Sequence, residues 1–201
     1  TISGGHTQIV KVNDFFNMKI IGETTDDAVG EAFDKTAKIL GFPYPGGPLI
    51  DQFAKEGNPK KYPFTKPKVP NLDFSFSGLK TQILYFVQKN VLENPNFIEE
   101  NKADICASVQ QTIIEILMDK LKLAVAETGI NQIAIGGGVS ANSGIRQTLR
   151  EAEKKYGWKT FVPKFEYTTD NAAMIGIVGY HKFLHDKFSN ANVVSKARIE
   201  F

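Results

Sequence analysis

Apolar positions recur along this chain with two different periods. Near the start the spacing is short: Ile9 and Val10 lie in Thr7–Lys11, a turn falls at Asn13-Asp14, and β-type residues fill Phe15–Ile21 up to Gly22. That pattern predicts a meander of strands. From Ala28 the period lengthens. Ala28, Ala32, Phe33, Ala37, Ile39 and Leu40 make one helical stripe over Ala28–Leu40, with Thr24, Thr25, Asp26 and Asp27 as capping residues ahead and Gly41 to end it. The run Phe42–Pro48 forms turns, and Pro48 fits the first turn of a helix Leu49–Lys55. Asn58–Asn71 carries four prolines and little periodicity, so it reads as an exposed loop. A short strand at Asp73–Phe76 then leads into a helix capped by Ser77 and running to about Asn90.

The second half is more regular. Ile105, Val109, Ile113, Ile116, Leu117 and Leu121 predict a long amphipathic helix over Lys102–Glu127. Gln132–Ile135 is a short apolar strand, Ser143–Tyr156 a helix, Thr160–Val162 a strand and Asn171–Phe188 a last helix. Strand and helix alternating after a meander predicts an α/β fold with a mixed sheet. Thr1-Ile2 reads as the tail of an apolar strand, which predicts a piece of a longer protein.

Composition narrows the class. The chain has 201 residues, 42% hydrophobic and 23% charged, enough for a buried core and too apolar for disorder. The longest uninterrupted apolar stretch, Ala172–Tyr180, has nine residues. A membrane-spanning helix needs about 20, so a soluble protein is expected. The single cysteine, Cys106, allows no internal disulfide and suits a reducing compartment; its place beside Ile105 predicts a core residue. A net charge of +2 neither announces nor forbids a nucleic-acid partner. The lysine-rich loop around Lys55–Lys68 is the best local candidate for touching a phosphate backbone, although most such loops are simply solvated.

Four small motifs suggest a cleft for phosphate and sugar. Ser3-Gly4-Gly5-His6-Thr7 puts two glycines at a strand end, where backbone N–H groups can approach an anion; a plain hairpin turn is the competing reading. Gly136–Asn142 follows a buried strand and opens a helix, the geometry in which a helix N-terminus meets negative charge, while Asn142 also suits a plain N-cap. Asp34 sits on the first helix, and Gly46-Gly47 with Asp51 makes a second loop-to-helix site. Thr168–Asn171 follows a strand and offers the carboxylate of Asp170 as a possible metal ligand. His181 and His185 have i, i+4 spacing but lack the glutamate of a zinc-protease helix, so an ordinary helical face is expected.

Six ordered motifs carry a resemblance: Ser3–Gln8, Gly30–Lys38, Tyr44–Pro48, Asp73–Thr81, Gly136–Asn142 and Thr169–Ile175. Together they closely resemble the tRNA threonylcarbamoyladenosine transferase family (TsaD, formerly called O-sialoglycoprotein endopeptidase). The resemblance implies an actin-like, sugar-kinase-like ATPase fold of two ribonuclease-H-like lobes, with residues 1–201 as the C-terminal lobe and the N-terminal lobe absent. It implies transfer of a threonylcarbamoyl group from threonylcarbamoyl-adenylate to N6 of the adenosine beside the tRNA anticodon, by an incomplete and inactive fragment. By resemblance Thr1, Ile2, Ser3, Gly4, Gly5, Asp34, Gly47, Asp51 and Asn142 bind the nucleotide, with ATP or AMP as alternative ligands. Asp170 would bind one divalent metal ion, iron or zinc, with two histidines from the missing lobe. The implied partners are tRNA, a paralogous subunit and a small ATPase in the cytoplasm. A nucleotide-binding lobe of a kinase-like protein without transfer, and a metalloprotease, are the alternatives.

Overall fold

The computed structural model describes residues 1–195. Strands β1 (Gln8–Asp14) and β2 (Asn17–Glu23) form an antiparallel hairpin. Helices α1 (Val29–Ile39), α2 (Gly47–Ala54), α3 (Ser77–Glu93) and α4 (Phe97–Thr128) follow. Then come β3 (Gln132–Ala134), α5 (Ser143–Tyr156), β4 (Lys159–Phe161) and α6 (Ala172–Leu184), with short 3-10 turns at Gly138–Ala141 and Phe165–Tyr167. The fold is mixed α/β. The single mixed sheet expected from the sequence is instead two pairs, β1-β2 antiparallel and β3-β4 parallel. Only Thr1–Ile2 stands between them.

Helix α4 is the central beam, packed against α2, α3 and α5. Ile105, Cys106, Val109 and Ile113 are fully buried in one core with Val29 and Phe33 of α1, Ile50 of α2 and Leu79 and Ile83 of α3. This is the face that the apolar stripe predicted, and Cys106 lies in it. Helix α4 starts five residues earlier than the stripe suggested, because Phe97 joins a cluster with Tyr62 and Phe86. It ends where Gly129 turns to φ 70°, a left-handed conformation that costs glycine nothing.

Some local expectations fail because distant residues supply the partner. The strand expected at Asp73–Phe76 is reduced to one parallel bridge between Thr24 and Phe74. Ser77 does not cap α3. Asp26 does so from fifty residues upstream: its carboxylate accepts from the backbone N–H of Phe76 at 2.8 Å and of Ser77 at 3.3 Å, and from the Ser75 hydroxyl at 2.5 Å. Burial pushes the Asp26 carboxyl up, but the bonds from Ser75, Phe76, Ser77 and Asp27 outweigh it and hold its pKa below the ordinary value.

The proline-rich loop is anchored rather than free. Tyr62 and Phe64 pack on Phe86, Lys61 pairs with Asp104 at 2.6 Å, and Lys66 pairs with Asp119 at 2.5 Å. Two of its positive charges are therefore already matched within the chain. Helix α6 has no buried residue, and His181 on it and His185 just past its end lean on the hairpin tip: His181 stacks on Phe15 with centroids 3.5 Å apart, and His185 meets Phe16 edge-on. Among the described residues no helix is long and apolar enough to cross a membrane.

Candidate functional site

Hydrogen bonds link the glycine motifs and two carboxylates into one set of loops between α1, α2 and α5. The segment Ser3–His6 is a closed turn: Ser3 N–H donates to the His6 carbonyl at 2.8 Å, and Ser3 Oγ accepts from the N–H of Gly5 and His6. The hairpin reading of this motif therefore holds for the backbone. The turn rests on α1. Gly30 N–H donates to the Ser3 carbonyl at 3.0 Å, and a Cβ on Gly30 would come within 2.8 Å of Gly4 Cα. Thr7 Oγ1 takes the N–H of Val29, so this helix start is capped by tertiary contacts instead of by Ala28.

The second glycine run lies directly behind the first. Ile2 N–H donates to the Gly136 carbonyl at 2.8 Å, and Val139 N–H donates back to the Ile2 carbonyl at 3.1 Å. Gly137 has φ 94°, and a Cβ there would lie 2.4 Å from the Ile2 carbonyl oxygen. No other residue fits that approach without moving the strand.

Each site carboxylate holds one of the remaining loops. Asp34 Oδ1 accepts from the N–H of Gly46 at 2.9 Å and of Gly47 at 3.0 Å, which fixes the turn that opens α2. From α2, Asp51 accepts from Ser143 N–H at 3.1 Å and from its hydroxyl at 2.8 Å, closing the N-terminus of α5. Asn142 caps α5 by accepting from Ile145 N–H at 3.0 Å, while its amide donates to Gln110 Oε1 of α4 at 2.7 Å. The cap reading of Asn142 thus holds. Asp34, Gly47, Asp51, Asn142 and the Ser3–Gly5 turn stand in one connected set of loops.

Capacity for a ligand differs among these groups. The N–H groups of Thr1, Ile2, Ser3 and Gly5 have partners within the chain, whereas Gly4 N–H has none among the described residues. Asp34 Oδ2 also accepts no hydrogen bond from them. Asp51 and Asn142 are engaged through both ends of their side chains.

Asp170 lies apart from these bonds. It is exposed, between the Phe165–Tyr167 turn and Asn171, which caps α6. Among the described residues no three His, Cys, Asp or Glu side chains are grouped to hold a metal ion. His181 and His185 face the hairpin tip, and His185 Nδ1 lies 2.8 Å from the His181 carbonyl.

Sequence reasoning missed Arg146. It is buried on α5, donates to the carbonyls of Ser140 and Pro163, and covers the Phe165 ring at 4.2 Å. It ties the glycine loop to the segment leading to Asp170. An arginine beside the apolar stripe of an amphipathic helix carries no sequence signal for such a role.

Comparison with known proteins settles the family. The family described as TsaD, tRNA N6-adenosine threonylcarbamoyltransferase, matches residues 1–177. The chain belongs to this family. A relative named tRNA N6-adenosine threonylcarbamoyltransferase from Christiangramia forsetii is 69% identical over 201 residues, all of this chain and 59% of the relative. Relatives of the same name from Cytophaga hutchinsonii and Riemerella anatipestifer are 53% and 56% identical. The chain therefore spans somewhat more than half the length of these TsaD relatives. Among solved structures, full-length HypF in its phosphate- and nucleotide-bound form superposes with a TM-score of 0.61 over 87% of this chain and 26% of its own length. At 17% identity that likeness bears on the fold alone.

Proposed function

We propose that this chain is the nucleotide-cradling part of an enzyme that transfers a threonylcarbamoyl group to tRNA. The observation that carries the reading is the hydrogen-bonded set of loops in which the Ser3–Gly5 turn rests on the start of α1, Asp34 holds Gly46-Gly47, and Asp51 and Asn142 close the start of α5, in a member of a threonylcarbamoyltransferase family. The fold that fits is the actin-like, sugar-kinase-like one, with this chain forming its C-terminal lobe.

The adenine amine is conjugated and a poor nucleophile, so the acyl group must arrive activated and held in line. Threonylcarbamoyl-adenylate meets that need. The N6 nitrogen attacks the carbamoyl carbon, the C–N bond forms, and the bond from that carbon to the phosphate oxygen breaks. AMP departs with the electron pair, and the amine loses one proton to solvent. The N–H of Gly4, without a partner among the described residues, would face the phosphate, where a backbone donor stabilises developing charge. Asp34, through Oδ2, would accept from a ribose hydroxyl, with Gly47 allowing close approach. Asp51 and Asn142, already bonded, would act as fixed walls for sugar and base. A lone exposed carboxylate at Asp170 does not by itself hold iron or zinc. The same reading takes tRNA, a paralogous subunit and a small ATPase as partners, in the cytoplasm.

Calorimetry with AMP and ATP, and a transfer assay with synthetic threonylcarbamoyl-adenylate, tRNA and the partner proteins, test this reading. Nucleotide binding weaker than low micromolar is expected, with no modified adenosine found by mass spectrometry. No binding at millimolar nucleotide would overturn the cradle; transfer at the rate of a full-length relative would overturn the fragment's incompleteness.

A further inference from the structure

Two of the six ordered motifs end in lysines that the nucleotide cradle does not use. Gly30–Lys38 closes with Lys35 and Lys38 on α1, and Asp73–Thr81 closes with Lys80 at the start of α3. The fold brings these two ends together. Helices α1 and α3 pack on each other, and an open groove of about 350 Å³ lies between them, lined by Lys35, Lys38, Ile39, Lys80 and Leu84. Asp26, just ahead of α1, fixes the pairing by holding the N–H groups of Phe76 and Ser77 where α3 begins. Ile39 and Leu84 are half-buried and apolar, so every charge that lines the groove is positive.

The three ammonium groups differ in what they already hold. Lys35 sits between Asp27 at 2.8 Å and Glu31 at 2.7 Å, so its charge is matched. Lys38 and Lys80 have no acidic partner among the described residues. Lys80 is the exception among the half-buried lysines of the helices: Lys35 and Lys102 pair with carboxylates, and Lys120 donates to the carbonyls of Val69 and Asn71. A half-buried ammonium has given up part of its water and gains from an anion in that place. In the proline-rich loop Lys61 and Lys66 are paired, while Lys60 and Lys68 are exposed, where water serves them. Lys38 lies four residues, about 6 Å, along α1 from Asp34, whose carboxylate holds Gly46 and Gly47.

We propose that the α1–α3 groove seats the sugar-phosphate backbone of the acceptor RNA, with Lys38 and Lys80 each meeting one phosphate. The proposal rests on the threonylcarbamoyl-transfer reading, which supplies a tRNA as acceptor. Lysine is a point charge on a flexible stem, so it holds a phosphate without dictating the base attached to it. Contacts of this kind fix the register and orientation of the strand. A strand held by Lys38 is anchored one helical turn from Asp34, beside the loops that cradle the nucleotide, and its target base stays free to reach the carbamoyl carbon. Lys35, already held by Asp27 and Glu31, shapes the groove without adding free charge. RNA is favoured over an acidic peptide because the acceptor strand has to pass within reach of Asp34 for transfer to occur.

Fluorescence anisotropy with a labelled, unmodified tRNA transcript, between about 50 and about 200 mM salt, tests the groove. It is run on this chain, on Lys38→Ala/Lys80→Ala, and on the loop control Lys60→Ala/Lys68→Ala. Each phosphate contact contributes about 0.7–0.9 to the slope of log K against log salt. The groove variant should therefore lose about 1.4–1.8 of slope and bind about tenfold or more weakly at the lowest salt. The loop control should match the parent, and Lys38→Arg/Lys80→Arg should keep the parent slope because the charge is kept. Lys38→Ala alone, at an exposed position, should lose about half as much slope, which keeps the test open if the double variant folds poorly. Absence of RNA binding by the parent, an unchanged slope in the groove variant, or an equal loss in the loop control would overturn the proposal. Displacement of the RNA by inorganic phosphate at constant ionic strength would assign the groove to a free anion instead. Loss of polyglutamate binding with RNA binding intact would assign it to an acidic protein. Calorimetry with AMP separates the two readings: parent and groove variant should bind AMP alike. No AMP binding together with a lowered slope in the groove variant would remove the cradle and leave the groove; AMP binding with an unchanged slope would do the reverse.

Discussion

Replacing Asp34 with alanine takes away the acceptor shared by two backbone N–H groups, those of Gly46 and Gly47. Gly46 is buried and Gly47 half-buried, so water replaces the lost partner poorly at the first and partly at the second. An unsatisfied buried donor costs about 1–3 kcal/mol, and two unequal ones give a net loss of about 2–4 kcal/mol. For a chain of this size that corresponds to a fall in Tm of roughly 4–16 °C. Asp34→Asn keeps a carbonyl oxygen in place and loses only the charge assistance, so its cost should be about 1 kcal/mol. The assay is thermal and urea unfolding followed by circular dichroism on the parent chain and both variants. A Tm for Asp34→Ala within about 1 °C of the parent, the range of an inconsequential surface change, would refute the reasoning. So would an Asn variant that falls as far as the Ala variant, since the acceptor and not the charge is held to matter.

Asp26→Ala should shorten α3 at its start and destabilise by about 1–2 kcal/mol, the range of a lost N-cap. The pH dependence has a definite sign. The folded pKa is depressed, so the contribution is present above the ordinary carboxyl range near about 4 and is lost as pH falls through the folded value. Unfolding of parent and variant should therefore differ at pH 6 and converge in strong acid, and a gap that widens in acid would contradict the cap. Burial pushes the Cys106 thiol up to about 12, so iodoacetamide at pH 8 should leave it unlabelled in the native chain and label it in urea. Rapid native labelling, read by mass spectrometry, would contradict its place in the core.

What the sequence determined by itself was local. The period of apolar residues located the helices to within a few residues, because α4 and α1 each bury one continuous stripe and the stripe is written at helical spacing. Asn142 as a cap and Ser3–His6 as a turn were legible for the same reason, since both bond within three residues. The six ordered motifs identified the family. Tertiary structure alone decided the bonds between residues far apart in the chain. Asp26 displaces Ser77 as the cap of α3, Asp51 rather than a neighbour closes Ser143, and Arg146 joins Ser140 to Pro163. A carboxylate or guanidinium satisfies whichever orphaned backbone group the fold brings near, and no periodicity records which one that is. The division of the sheet is of this kind too. Strand propensity marks Thr7–Lys11 and Gln132–Ile135 as strands, though β1 runs on through the turn expected at Asn13-Asp14, and whether the two edges meet depends on what lies between them, which in this chain is Thr1–Ile2 among the described residues.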